Sequence, residues 1–177
     1  MVDVLVRPEA RKFVGAKVKQ QLAVRLRSAL RLLDRSRCQV ALLLTCDPEI
    51  RKLNRDYRKL DRATDVLSFH QQDLGGEGDP AGQAVVLGDI VISVETAVRR
   101  SGQRRLSGEL ARLAIHGLCH LFGHDHHRPR EAVVMRKLEG RLLRASRRPA
   151  YRELPASSRP SAAASKRPST QGGKLPV

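Results

Sequence analysis

Five of the six histidines of this 177-residue chain fall within residues 114–129, AIHGLCHLFGHDHHRP, and their spacing suits a metal site. His116 and His120 are four residues apart, so on a helix they rise from one face with Cβ atoms about 5–6 Å apart and can grip one ion. Gly123 stands where a helix can end in a left-handed turn, returning the chain so that His126 approaches the same ion. Three neutral imidazoles with a fourth position left open describe a catalytic rather than a structural zinc site. An ion held that way brings the pKa of a bound water down towards about 7, a usable nucleophile at neutral pH. One zinc ion per chain is the expectation, because imidazole suits zinc, although nickel, copper and iron accept the same ligand.

The neighbours of the three are read differently. His124 and His127 flank the third ligand and are expected to project elsewhere. Asp125 is a candidate for a carboxylate that fixes a ligand ring, and Cys119 reads as a small buried residue. The HxxxHxxGxxH array also occurs in zinc endopeptidases of the metzincin kind, which place a glutamate directly after the first histidine as general base. Here that position is Gly117, with Glu109 and Asp125 the nearest substitutes. General-base help is typically worth about a hundredfold or more, so its loss argues against a peptidase.

Charge selects the substrate class. Lys and Arg total 34 against 18 acids, a net charge of +16, which points to a polyanion and to nucleic acid ahead of an anionic membrane. Aromatic residues make up 3% of the chain, so stacking platforms are expected to be scarce and contacts to run mostly to phosphate and sugar. A second constellation, LNRDYRKLDRATDVLSF at 53–69, places Asn54 and Arg58 four apart on a predicted helix that leads through Thr64 and Asp65 into a strand. An arginine held near a metal clamps a phosphate oxygen through two parallel hydrogen bonds and offsets charge developing there.

The elements that must position these groups follow from periodicity. Residues 2–6 read as a strand, and Pro8 opens a long amphipathic helix over about 10–33, with Phe13, Val14, Val18, Leu22, Leu26, Leu30 and Leu33 on one stripe. QVALLLTC at 39–46 reads as a strand buried on both faces. Asp47 as N-cap and Pro48 as first residue open a helix over 48–58. Strands at 65–69 and 88–93 bracket a glycine-rich segment, 71–84, expected to be a mobile flap. A short helix at 94–100 follows. Ser107 is the expected cap of a helix over 108–122 striped by Leu110, Leu113, Ala114, Gly117, Leu118 and Leu121. A last helix spans about 129–145, and residues 146–177, basic and rich in Ser, Ala and Pro, are expected to be disordered.

Interleaved strands and helices of this kind favour an α/β or α+β sandwich in one domain, 1–145, with 146–177 as a tail. The three cysteines do not suggest a disulfide. Cys38 and Cys46 bracket one strand and so stand about 26 Å apart at about 3.3 Å per residue, far beyond the roughly 7 Å limit for pairing. No apolar run reaches the ~18 residues of a membrane span, and the first residues lack the pattern of a signal peptide. A soluble, cytoplasmic protein with no membrane partner is expected.

Taken together, HGLCHLFGHDH, LNRDYRKLDRATDVLSF, LGDIVIS and GELARLAIHG resemble the YbeY family of bacterial endoribonucleases across about residues 1–140. The resemblance implies an α+β domain with a small mixed four-stranded sheet against five to six helices, holding zinc through His116, His120 and His126. It places the family's arginine of RNA cleavage on Arg58, which with His116 forms the expected catalytic pair. It implies single-stranded RNA as substrate, and a role in ribosomal RNA processing, especially 3′-end maturation of the small-subunit RNA, and in ribosome quality control. Two departures bear on the groove: His124 stands where the family usually has tyrosine, and His70 where proline is common. His70 therefore joins Asp125 and Asn54 as a candidate second-layer or groove residue, and the basic tail is expected to add non-specific RNA affinity. A zinc-containing assembly factor without activity and a peptidase-like hydrolase are the alternatives.

Overall fold

The computed structural model describes residues 1–71, 85–102, 105–126 and 128–147. Apart from Gln71, the segment expected as a flap lies outside the described residues, as do His127 and the chain after Arg147.

Alternation makes β1 (Val2–Val6) a strand, with Val2 and Val4 buried while Asp3 and Leu5 face out. Pro8 opens only a single 3-10 turn, Pro8–Ala10, and α1 (Ala16–Leu32) begins after Gly15 rather than near residue 10. Gly15 is extended, at φ −81° and ψ 168°, and breaks the helix there. Apolar spacing hides this break, because Ala10, Val14, Val18, Leu22, Leu26 and Leu30 keep four-residue steps straight through it. β2 (Gln39–Thr45) departs from burial on both faces. Val40, Leu42 and Leu44 are enclosed, whereas Ala41 and Leu43 are only half-buried, since the second face of the sheet is partly uncovered.

α2 (Asp47–Arg58) carries Pro48 in its first turn, followed by β3 (Val66–His70), β4 (Val86–Ser93) and α3 (Val94–Ser101). Cys46, not Asp47, occupies the cap position of α2. The Asp47 carboxylate instead accepts from Ser93, Thr96 and Arg99, because the start of α3 packs across the start of α2 and offers three donors at once. Ser93 in turn caps α3, its oxygen accepting from the Thr96 amide at 3.2 Å. α4 (Leu106–Leu121) starts ahead of the expected Ser107 cap, with Arg105 in the cap position and no side-chain bond. Leu106 packs against the core and draws the first turn back by that much. α5 (Pro129–Arg147) runs through Ser146, which is buried, and Arg147, past the point where the tail was expected to begin.

The sheet order is β1-β2-β4-β3, with β1, β2 and β4 parallel and β3 antiparallel to β4. With five α-helices and four strands among the described residues, this is the expected α+β domain around a mixed sheet. The main core joins one face of that sheet to α1, α3, α4 and α5, while α2 covers part of the other face through Ile50, Leu67 and Val91. α4 lies against β3 and β4 with its expected stripe inward, and Leu110, Leu113, Leu118 and Leu121 are at most 1% exposed. Burying each such leucine contributes roughly 1.5–3 kcal/mol, which fixes the helix that carries the histidines. All three cysteines are free and buried. Among the described residues no helix is long and apolar enough to cross a membrane.

Candidate metal centre

His116 and His120 leave the last two turns of α4 on one side, half-buried on a helix that is otherwise largely enclosed. The helix then stops on Gly123. The His124 amide bonds back to the Cys119 carbonyl at 3.1 Å and the Gly123 amide to the His120 carbonyl at 2.8 Å, the paired bonds of a Schellman turn. Gly123 has φ +76°, a conformation that costs a residue with a Cβ roughly 1–2 kcal/mol. The reversal delivers His126, and the ligand atoms of His116, His120 and His126 lie within 4.8 Å of one another. Asp125 steadies this return, its Oδ1 accepting from the His126 amide at 2.6 Å.

The facing nitrogens are identifiable. His116 Nδ1 is bonded to the Glu139 carboxylate of α5, and a carboxylate only accepts, so Nδ1 is the donor and, in the neutral ring a metal requires, Nε2 is the nitrogen with the lone pair. That Nε2 is 3.2 Å from Nε2 of His120. Tetrahedral zinc with Zn–N bonds of about 2.0–2.1 Å has a ligand-to-ligand edge of about 3.3 Å, so this pair fits the ion. Burial first, then the proximity of His116 and His126, pushes the His120 pKa down, which favours the neutral form a metal requires. For Glu139, burial pushes the pKa up, but the His116 bond and the charges of His116, Arg112 and His120 win and hold it below the usual carboxylate range. Donor set, nitrogen spacing and a carboxylate behind one ring all suit a zinc-like ion with three protein ligands.

Glu139 is the functional residue that sequence reasoning missed. It lies on another helix, yet Met135, Leu142 and Ser146 mark the buried stripe of α5, and Glu139 is a carboxylate on that stripe. Cys119 is core, as expected: burial, with Glu139 nearby, pushes its thiol up to about 12. Gly117 explains the absent glutamate. A Cβ there would stand 2.7 Å from Ile90 Cγ2 and 2.9 Å from Ser68 Oγ, so this position faces the sheet and has no room for a side chain.

A cleft of about 380 Å³ opens beside the histidines, lined also by Arg58, Thr64, Asp65, Ser68, His70 and Asp125. Arg58 reaches it, exposed, from the last turn of α2. Asn54 does not, although it is four residues earlier. It is 1% exposed, and its amide donates to the Arg62 carbonyl at 2.8 Å, pinning the turn that ends α2. His70 lines the cleft, but its Nε2 is 2.5 Å from the His120 carbonyl, so it ties β3 to the end of α4 and stands outside the ligand group. His124 is half-buried and also outside that group.

The solution structure of a Thermotoga maritima protein shares the fold, with a TM-score of 0.56, 22% identity, and coverage of 82% of this chain and 89% of that one. The chain is 43% identical over 133 residues to an Anaeromyxobacter dehalogenans protein described as endoribonuclease YbeY, covering 74% of this chain and 66% of that relative. A Myxococcus xanthus protein with the same description is 49% identical over 119 residues, 66% of this chain and 40% of its own length, so the chain spans only part of these two relatives. An Aquifex aeolicus protein, again so described, is 37% identical over 143 residues and is covered over 89% of its length by 79% of this chain. The family model for endoribonuclease YbeY matches residues 9–147, a stretch that holds all three facing histidines, Glu139 and Arg58, and the chain belongs to that family.

Proposed function

We propose that this protein is a zinc-dependent endoribonuclease that cuts single-stranded RNA. The observation that carries the reading is the meeting, at one cleft, of three imidazoles poised for an ion and an exposed arginine. His116, His120 and His126 would hold the zinc, and Glu139 keeps His116 in the tautomer that presents Nε2. A zinc ion in that position supplies Lewis-acid polarisation and a nucleophile usable at neutral pH. Arg58 binds a non-bridging phosphate oxygen, orients the phosphodiester and offsets the charge that grows on it. Asp125 and His70 hold the two chain segments that frame the cleft. Either water or the neighbouring ribose 2′-OH serves as nucleophile, and the second leaves a cyclic phosphate that mass spectrometry of the product ends detects.

The physiological substrate in this reading is ribosomal RNA, above all the 3′ end of the small-subunit RNA, with a part in ribosome quality control and the small subunit as partner in the cytoplasm. A net charge of +16 suits that substrate. Residues 1–147, to the end of α5 and two residues past the expected boundary at 145, form the nuclease domain, and the basic stretch beyond them adds non-specific affinity. Removing residues 148–177 is expected to weaken RNA binding and flatten its dependence on salt.

The test is metal analysis of the purified protein alongside cleavage of ribosomal RNA and of casein by wild type, His116→Ala and Arg58→Ala. RNA cleavage that needs metal, His116 and Arg58 supports the reading. Metal-bound protein that binds ribosomal RNA without cutting it would make this an assembly factor, and cleavage of casein alone would make it a peptidase.

A further inference from the structure

β3 is at the edge of the sheet among the described residues, and its neighbouring residues point to opposite faces. Ser68 and His70 face α4, where they bond the carbonyls of Gly117 and His120. Leu67 and Phe69 face α2 and pack with Ile50 and Val91. The metal cleft thus lies to one side of a single strand. On the other side runs a groove of about 890 Å³, whose lining includes Leu5, Leu43, Leu53, Tyr57, Phe69 and Val91. Arg58, Leu67, Ser68 and His70 border both spaces, so a chain bound at Arg58 can pass from one to the other over the strand edge.

Two of the five aromatic residues of the chain meet in that groove. Tyr57 directly precedes Arg58 on the last turn of α2, and Phe69 directly precedes His70 on β3. Their ring centroids are 5.0 Å apart at 68°, edge to face, and Tyr57 is 68% exposed. An edge-to-face pair occupies one ring face at most, which leaves flat apolar surface open beside a cation already poised for phosphate.

We propose that Tyr57 and Phe69 form a stacking subsite for one unpaired nucleobase adjoining the phosphate bound at Arg58. The inference rests on the endoribonuclease reading and deepens it. Stacking on an aromatic ring accepts any base, because every base has a π-face. It does not accept a base inside a duplex, whose faces are covered by its neighbours. Single-strand preference then has a local cause: the base next to the scissile bond must leave its stack before the phosphate can reach Arg58. A protein partner is the weaker occupant, because the groove shares its rim with the residues that bind phosphate.

The test uses the full-length, metal-loaded protein and a short oligouridylate in which a single 2-aminopurine is moved along the strand. Affinity is read by anisotropy, and stacking by quenching of the 2-aminopurine. Wild type should bind the RNA and quench the probe most strongly at one position. Tyr57→Leu should weaken binding about tenfold and abolish the quench, whereas Tyr57→Phe should retain both. A melting curve matching wild type checks the fold of each variant, as expected for a residue so exposed. Unaltered affinity and quenching in Tyr57→Leu, with wild-type cleavage intact, would overturn the subsite, leave the nuclease reading standing and hand the groove to a protein partner. Wild-type protein that neither binds nor cuts RNA would remove both.

Discussion

Two helices end at the cleft, and they end differently. α4 stops in the core, among leucines at most 1% exposed, and turns on a glycine at φ +76°. α2 stops on the outer face of the sheet, where Arg58 is exposed and the next residue, Lys59, takes up the left-handed conformation at φ 59° without being a glycine. The first end presents three imidazoles that could hold a metal ion, whose distances a metal would tolerate only within about ±0.2 Å. The second presents a guanidinium on a long side chain, which in the proposed reading would adapt to a phosphate by rotation. Rigidity is placed where an ion needs it, and an exposed arm suffices for the phosphate.

The largest expected effects separate these two roles. His116→Ala should lose bound metal and bring RNA cleavage to background. Arg58→Ala should retain metal and lower kcat by roughly 10²–10³-fold, the usual cost of removing a group that stabilises developing charge. Metal content and cleavage rate measured on the same preparations decide it. Loss of metal in Arg58→Ala would merge the two ends into one unit and erase the contrast.

Next in size is the support behind the metal ligands. Glu139→Gln preserves shape but removes the charge that holds His116 Nδ1 protonated, and should weaken metal affinity by about 10–100-fold in a chelator competition. If Asp125→Asn weakened affinity more than Glu139→Gln, the carboxylate that governs the site would be the one in the turn.

These residues also show what a sequence discloses. The three histidines were legible because helix pitch and one glycine turn relate them within a single local stretch, and local geometry is written in spacing. Glu139 was not, because it reaches His116 only once α5 docks on α4, although a carboxylate on the stripe of Met135, Leu142 and Ser146 was the available sign. Asn54 and Arg58 share a spacing but not an environment. The chain returning through Arg62 covers the first and leaves the second open. The strands and the leucine stripe of α4 followed from periodicity, while the start of α1 shifted because the backbone is extended at the exposed Gly15, and the starts of α2 and α4 because tertiary packing, at Asp47 and Leu106, outweighed local capping.

The two helix ends should also respond to substitution with opposite signs. Gly123→Ala forces a Cβ into a left-handed conformation and should cost roughly 1–2 kcal/mol, with some loss of metal affinity as His126 shifts. Lys59→Gly relieves the same conformation and should stabilise by about 0.5 kcal/mol after the entropy of the freer unfolded chain is deducted. Denaturant midpoints of the two variants measure both. Destabilisation by Lys59→Gly would mean that its ammonium, which donates to the Asp56 carbonyl at 3.0 Å, matters more than its backbone.

The smallest effect lies in pH, and it again divides the molecule. Burial pushes Asp47 up, but hydrogen bonds from Ser93, Thr96 and Arg99 and the Arg99 charge outweigh it, so the folded pKa lies below the ordinary value. The folded state therefore binds fewer protons than the unfolded one on acidification. The stability this provides is complete above about pH 4 and fades as pH falls through the depressed value. His120, lowered mainly by burial, has the same sign in a higher window: its contribution is present above about pH 6.5 and is lost below it. Unfolding of chelator-treated protein should thus lose stability in two steps as pH drops, the first at the end of α4 and the second at the start of α2. Asp47→Asn should remove part of the second step alone. A single step unaffected by that substitution would mean that Arg99, exposed to solvent, is too well screened to hold the two helices together.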